Sequence, residues 1–188
     1  MEKELTQDYI REFILAGHGN LAKVQAMLND DPRLLNVMFE EWKETALGAA
    51  SHVGNRPIAE YLLQQGAPMN ICTAAMLGDK ATVARFLQDD RAQATATGAH
   101  DLTVLYHTAI SGNTEIADLL VQYGGGEGAS HALHPAIGRG HVGMVKWLLE
   151  HGAATTALDY QGKTPLKAAV EKGNQEIVEL IKHYGVLE

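Results

Sequence analysis

Apolar residues in this chain return in short bursts, each set a nearly fixed distance behind a glycine. The glycines are Gly19, Gly54, Gly78, Gly112, Gly140 and Gly173, and the residue after each is Asn, Asp or His. Behind them come Val24, Met27 and Leu28; Ile58, Leu62 and Leu63; Val83, Phe86 and Leu87; Ile116, Leu120 and Val121; Met144, Val145, Leu148 and Leu149; and Ile177, Val178 and Ile181. Apolar positions three to four apart share one face of an α-helix, so each burst predicts the buried stripe of an amphipathic helix. A helix-ending glycine followed by a capping residue places a corner before each stripe, with a second helix leading into it. Six antiparallel helix pairs follow.

The last pair carries the fullest set of signals. Thr164 can cap a helix, and Pro165 at its first position forfeits no hydrogen bond. Ala168 and Ala169 let that helix lie close to a neighbour, Gly173 ends it, and Asn174 caps the next. The segment Gly162-Lys163-Thr164-Pro165-Leu166-Lys167-Ala168-Ala169 resembles the Gly-x-Thr-Pro-Leu-His-x-Ala-Ala pattern of the ankyrin repeat, with Lys167 in place of His. The stretch from Glu44 to Gly54 and its continuation through Gly78 is similar to bacterial ankyrin-repeat proteins. The resemblance spans roughly residues 7 to 186 and implies an all-α solenoid in one domain, residues 1–188. Only His134 keeps the pattern's His; Gly48, Cys72, Tyr106 and Lys167 stand at the equivalent positions.

Successive glycines are 35, 24, 34, 28 and 33 residues apart. A full repeat with its projecting turn needs about 33 residues, so the second and fourth gaps are too short to hold one. Projecting β-turns are therefore expected only three times, at residues 37–44, 98–102 and 158–163. Neighbouring gaps sum to about sixty, which indicates helix pairs duplicated two at a time. Asp30-Asp31 and Asp89-Asp90, each eleven residues past its glycine, agree with that period. At the C-terminal end Lys182 takes a place that is apolar in the earlier pairs, as a capping repeat requires.

Composition narrows the function. Hydrophobic residues make up 46% and aromatics only 6%, which suits close helix stacking through small side chains. A net charge of −8 disfavours nucleic acid, and the lone Cys72 precludes an internal disulfide and points to a reducing, cytoplasmic setting. Neither a signal peptide nor a membrane span is expected, so no membrane partner. No Ser-His-Asp or Cys-His arrangement can be built from spacing, so the expectation is a protein that is not an enzyme and has no cofactor. The glycine run at 124–128 lacks the Lys-Ser or Lys-Thr of a phosphate loop and reads as a connector. Cys72, among small helical residues, reads as packing. His131, His134 and His141 crowd the fifth pair; a metal or small-ligand site there, or an enzyme built on it, is the alternative reading, although no metal ligand is assigned.

The resemblance implies a partner-binding surface formed by the turn tips and the groove side of the first helix in each pair. On this chain the tips are Glu41, Trp42 and Glu44; Ala99, His100 and Leu102; and Tyr160, Gln161 and Lys163. The groove adds His52, Met76, Ile110, Arg139 and Glu171. The expected partner is another protein, with a basic rim if the carboxylates of the first tip meet it, or a second copy through self-association. Trp42 is either an aromatic anchor for that partner or a cover that folds back with Phe39 and Met38 over the first repeat.

Overall fold

The computed structural model describes residues 5–185, which form twelve α-helices in six antiparallel pairs. They are α1 (Gln7–Gly17) with α2 (Leu21–Asp30), α3 (Ala46–Val53) with α4 (Arg56–Gln64), α5 (Ile71–Leu77) with α6 (Lys80–Asp89), α7 (Val104–Ser111) with α8 (Thr114–Gln122), α9 (Ala129–Arg139) with α10 (Val142–Glu150), and α11 (Pro165–Lys172) with α12 (Gln175–Gly185). The odd-numbered helices stack in sequence as an inner layer, and the even-numbered ones back them as an outer layer. A two-stranded ribbon, β1 (Met38–Phe39) with β2 (Glu44–Thr45), is the only named sheet among the described residues, paired Met38 to Thr45 and Phe39 to Glu44. The architecture is the all-α repeat solenoid that the resemblance implies, with the six helix pairs that the spacing predicts.

Local chemistry explains the corners. Gly54, Gly78, Gly112, Gly140 and Gly173 each end an inner helix in the left-handed conformation, with φ between 69° and 73°. Gly19 differs: α1 runs through Gly17 and closes on His18 in a right-handed conformation, so the first corner is one residue longer. Gly17 is needed where it is, because a Cβ there would lie 2.9 Å from the carbonyl oxygen of Ala46 as α1 crosses α3. The residue after each corner takes the N-cap position of the outer helix; Asn20, Asn55, Asp79, Asn113 and Asn174 accept from the N–H three residues on, while His141 makes no such bond. These caps also tie neighbouring pairs. Asn55 Nδ2 donates to the His18 carbonyl, Asn113 Nδ2 to that of Gly78, and His141 Nε2 to that of Ile110.

The three projecting turns lie where the long gaps place them. The first is the β1–β2 hairpin; the second is held by Gly98 N–H on the Leu102 carbonyl; the third by Asp159 N–H on the Lys163 carbonyl. The two-pair duplication is visible as well. After α2 and after α6 the chain makes the same five-residue 3₁₀ helix, started by Asp31 on Arg33 N–H and by Asp90 on Ala92 N–H. Between the short-gap pairs, Gly124 follows α8 and Gly128 caps α9, so the glycine run is a connector.

The outer-helix stripes are buried as expected except Leu63 and Phe86, which are partly buried, and Val121, which is 42% exposed. Buried apolar residues form two clusters, one around α1 to α4 with Met76 and Ile110, the other running from Ile71 to Ile181. Where the inner layers meet, Ser51 Oγ and Thr73 Oγ1 share a buried hydrogen bond of 2.9 Å between α3 and α5. No helix of the described residues is long and apolar enough to cross a membrane.

Candidate partner-binding groove

The last turns of the inner helices and two of the three tips enclose an open groove of about 1600 Å³. Ten of the positions singled out from the sequence line it: His52, Met76, His100, Leu102, Ile110, Arg139, Tyr160, Gln161, Lys163 and Glu171. They converge because each inner-helix residue stands one or two positions before a left-handed corner, a register that repeats from pair to pair. Met76 and Ile110 form a nearly sealed floor, at 3% and 5% exposure. Tyr160, by contrast, is 94% exposed at the third tip.

Fixed contacts hold the walls. Arg139, at the end of α9, reaches across to α3 and donates from Nη2 to the carbonyls of Val53 (2.7 Å) and Gly54 (3.3 Å). At the third tip Asp159 Oδ1 accepts from the N–H groups of Gln161 and Lys163, both at 2.8 Å, and the Lys163 N–H in particular holds its carboxyl below the usual range. Lys163 Nζ pairs with Glu171 at 2.6 Å, a bond that raises the lysine above its ordinary value. The lining carries Arg56, Arg139, Lys163 and Lys172 against Asp159 and Glu171, a local excess of cations on an acidic chain.

The first tip departs from expectation. Glu41, Trp42 and Glu44 do not line the groove. Trp42 turns back onto Phe39, with ring centroids 4.8 Å apart, and the Arg11 guanidinium sits over it at 5.4 Å. Glu41 is exposed on the hairpin. Glu44, expected at an accessible tip, is buried at 1% exposure, because the Phe39–Glu44 register of the two-residue strands turns its side chain inward. It lies beside His52, His100 and His18. His18 was not singled out from the sequence; its neighbours in that cluster come from three other segments, and no local spacing links them.

The histidines of the fifth pair do not converge. His134 Nε2 donates to the Ala157 carbonyl at 2.9 Å, His141 Nε2 to Ile110, and His131 is exposed. The one His/Cys/Asp/Glu grouping of metal-binding compactness among the described residues is the cluster around Glu44. Cys72 is buried, and desolvation pushes its thiol up to about 12, leaving little thiolate to act as a nucleophile. His107, under the second turn, is buried too; desolvation lowers it to about 4, and its Nδ1–H donates to the Thr103 carbonyl.

Two family models match the chain. One, described as ankyrin repeats in three copies, covers residues 125–186, and one for the single ankyrin repeat covers residues 42–74; together they span half of the sequence. Among curated proteins, the chain is similar to protein phosphatase 1 regulatory subunit 27 of Homo sapiens, 29% identical over 110 residues, 56% of this chain and 71% of that protein. It is also similar to protein HOS4 of Saccharomyces cerevisiae, 32% identical over 96 residues, 46% of this chain but only 9% of that much longer protein.

Proposed function

The chain belongs to the ankyrin-repeat family, a protein-interaction module, and we propose that it is a non-catalytic scaffold holding another protein in the groove between its second and third turns. The observation that carries this reading is the convergence of positions from α3, α5, α7, α9, α11 and both turns on one continuous surface. Tyr160 supplies an exposed aromatic at its rim and Met76 and Ile110 an apolar floor, the combination from which hot spots are made. The relative named as a regulatory subunit of a phosphatase is compatible with such a role.

The charge of the lining selects the occupant. A basic-rimmed partner would need Glu41 and Glu44 in the contact surface, and Glu44 is buried while neither lines the groove. With cations in excess there, the groove suits an acidic segment carrying an apolar residue or two, steered in by Arg139 and Lys172. Affinity capture from the source organism's lysate tests this. The intact bait should recover a partner that Tyr160→Ala with Lys172→Glu loses and that Gln122→Ala, on the outer helix α8, keeps. Capture that survives the groove changes and fails with the outer one contradicts the proposal.

A further inference from the structure

Three imidazoles from separate segments converge on one buried carboxylate beside the groove. We propose that His18, Glu44, His52 and His100 form a binding site for a divalent transition ion of the zinc class. His52 Nδ1 lies 2.9 Å from Glu44 Oε1, His100 Nε2 3.6 Å from the same oxygen, and His18 Nε2 3.7 Å from Oε2. The four ligand atoms all lie within 4.8 Å of one another. Bonds of about 2.0–2.1 Å set tetrahedral ligands about 3.3 Å apart, so closure on an ion needs side-chain shifts on the order of an ångström.

The electrostatics call for a cation at this point. The Glu44 side chain is fully buried, and neither of its oxygens has an aligned hydrogen-bond donor among the described residues; His52 Nδ1, for all its closeness, is likewise without an aligned partner. A buried carboxylate is costly unless paired and hydrogen-bonded. His18 sharpens the case. Its Nδ1 faces the Ile14 carbonyl at 3.2 Å, and since that oxygen only accepts, Nδ1 carries the hydrogen. In the neutral ring Nε2 then presents a lone pair to the carboxylate, and two electron-rich atoms facing each other are reconciled by a cation between them. A carbonyl taking the other ring nitrogen is the arrangement that orients metal-bound histidines.

The backbone is arranged for the same convergence. His100 sits at φ +57°, a left-handed conformation that non-glycine residues seldom adopt, and this brings its ring over Glu44. Gly48, bare where the family pattern has His, leaves room for the second turn: a Cβ there would already touch Ala99 and Glu44. His52 lies edge-on between the other two rings, with centroids at 5.0 and 4.9 Å. Three nitrogens and one oxygen favour zinc, cobalt or nickel over calcium or magnesium. His100, half exposed, gives the ion its way in. Once bound, the ion ties the end of α1, the first turn, α3 and the second turn into one unit.

Chelator-stripped full-length protein titrated with zinc by calorimetry, and with cobalt by visible absorption, tests the site. One ion per chain and a four-coordinate cobalt spectrum are expected. His100→Asn, which tolerates the left-handed backbone, and Glu44→Gln should each weaken binding at least tenfold, while His131→Ala, an exposed histidine elsewhere on the groove, leaves it unchanged. Because His100 is on a turn and half exposed, its variant keeps the fold and decides the matter if Glu44→Gln does not. The absence of one-to-one uptake, or equal uptake by wild type and His100→Asn, overturns the proposal.

Discussion

His107 should make this protein lose stability in mild acid, before its carboxylates protonate. The ring is buried under the second turn; desolvation is the main cause that lowers it to about 4 from 6.5, the nearby His52 adds to this, and its bond to the Thr103 carbonyl offsets only part. The unfolded chain takes up this proton from about pH 6.5 downward and the folded chain only from about 4. Stability is therefore complete above 6.5, falls as pH drops through that window, and falls no further from this cause below it. At about 1.4 kcal/mol per unit, the loss is about 2.5 kcal/mol by pH 4.5, or roughly 5–10 °C in Tm for a chain of this size. The comparison is His107→Asn, whose amide can keep the bond to Thr103 without titrating. Melting curves from pH 7.5 to 4.5 should fall more steeply for wild type by that margin. Equal slopes in the two proteins would refute the reasoning.

Trp42→Ala should cost about 2 kcal/mol, below the range of a fully buried Trp, lowering Tm by several degrees while leaving groove binding intact; a variant that melts normally but loses its partner would restore the anchor role. Gly125→Ala should destabilise by about 2 kcal/mol, because a Cβ there runs into the carbonyl of Ala94. Gly143→Ala, in α10 with open space around it, should instead stabilise by about 0.5–1 kcal/mol, and chemical denaturation of the two variants checks the contrast. Deleting the chain from residue 161 onward removes α11 and α12 from their places against α9 and α10 and exposes the cluster containing Met144 and Leu148, so size-exclusion chromatography should show aggregates; a monomer with an unchanged melt would contradict the capping role of the last pair.

How much of this was legible in the sequence depends on the range of the interaction concerned. Gly54, Gly78, Gly112, Gly140 and Gly173 announce the corners because a left-handed cap and the next N-cap are set within a few residues. The missing turns follow from chain length alone: 24 or 28 residues between glycines cannot span two helices and a hairpin. The inner-helix lining is readable for the same reason, since its register repeats from pair to pair. What failed was direction within a turn. Phe39 and Trp42 stand three apart in a hairpin, and only its fold shows that the indole returns to Phe39 rather than facing outward. Glu44 looks like one more tip carboxylate until the pairing with Phe39 is known. His18 could not be found at all, because it lies tens of residues from Glu44 and His52, and His100 lies tens of residues beyond them on a second turn.

The central claim, that this chain holds another protein in its groove, is tested most directly by site-specific photo-crosslinking. A photoreactive phenylalanine analogue placed at Tyr160, on the groove's rim, is compared with the same group at Gln122 on the outer layer, in the source organism's lysate. The account predicts a discrete cross-linked protein from position 160, reduced by Lys172→Glu, and none from position 122. A cross-link from position 122 alone, or one from 160 indifferent to the charge of the groove, would contradict it.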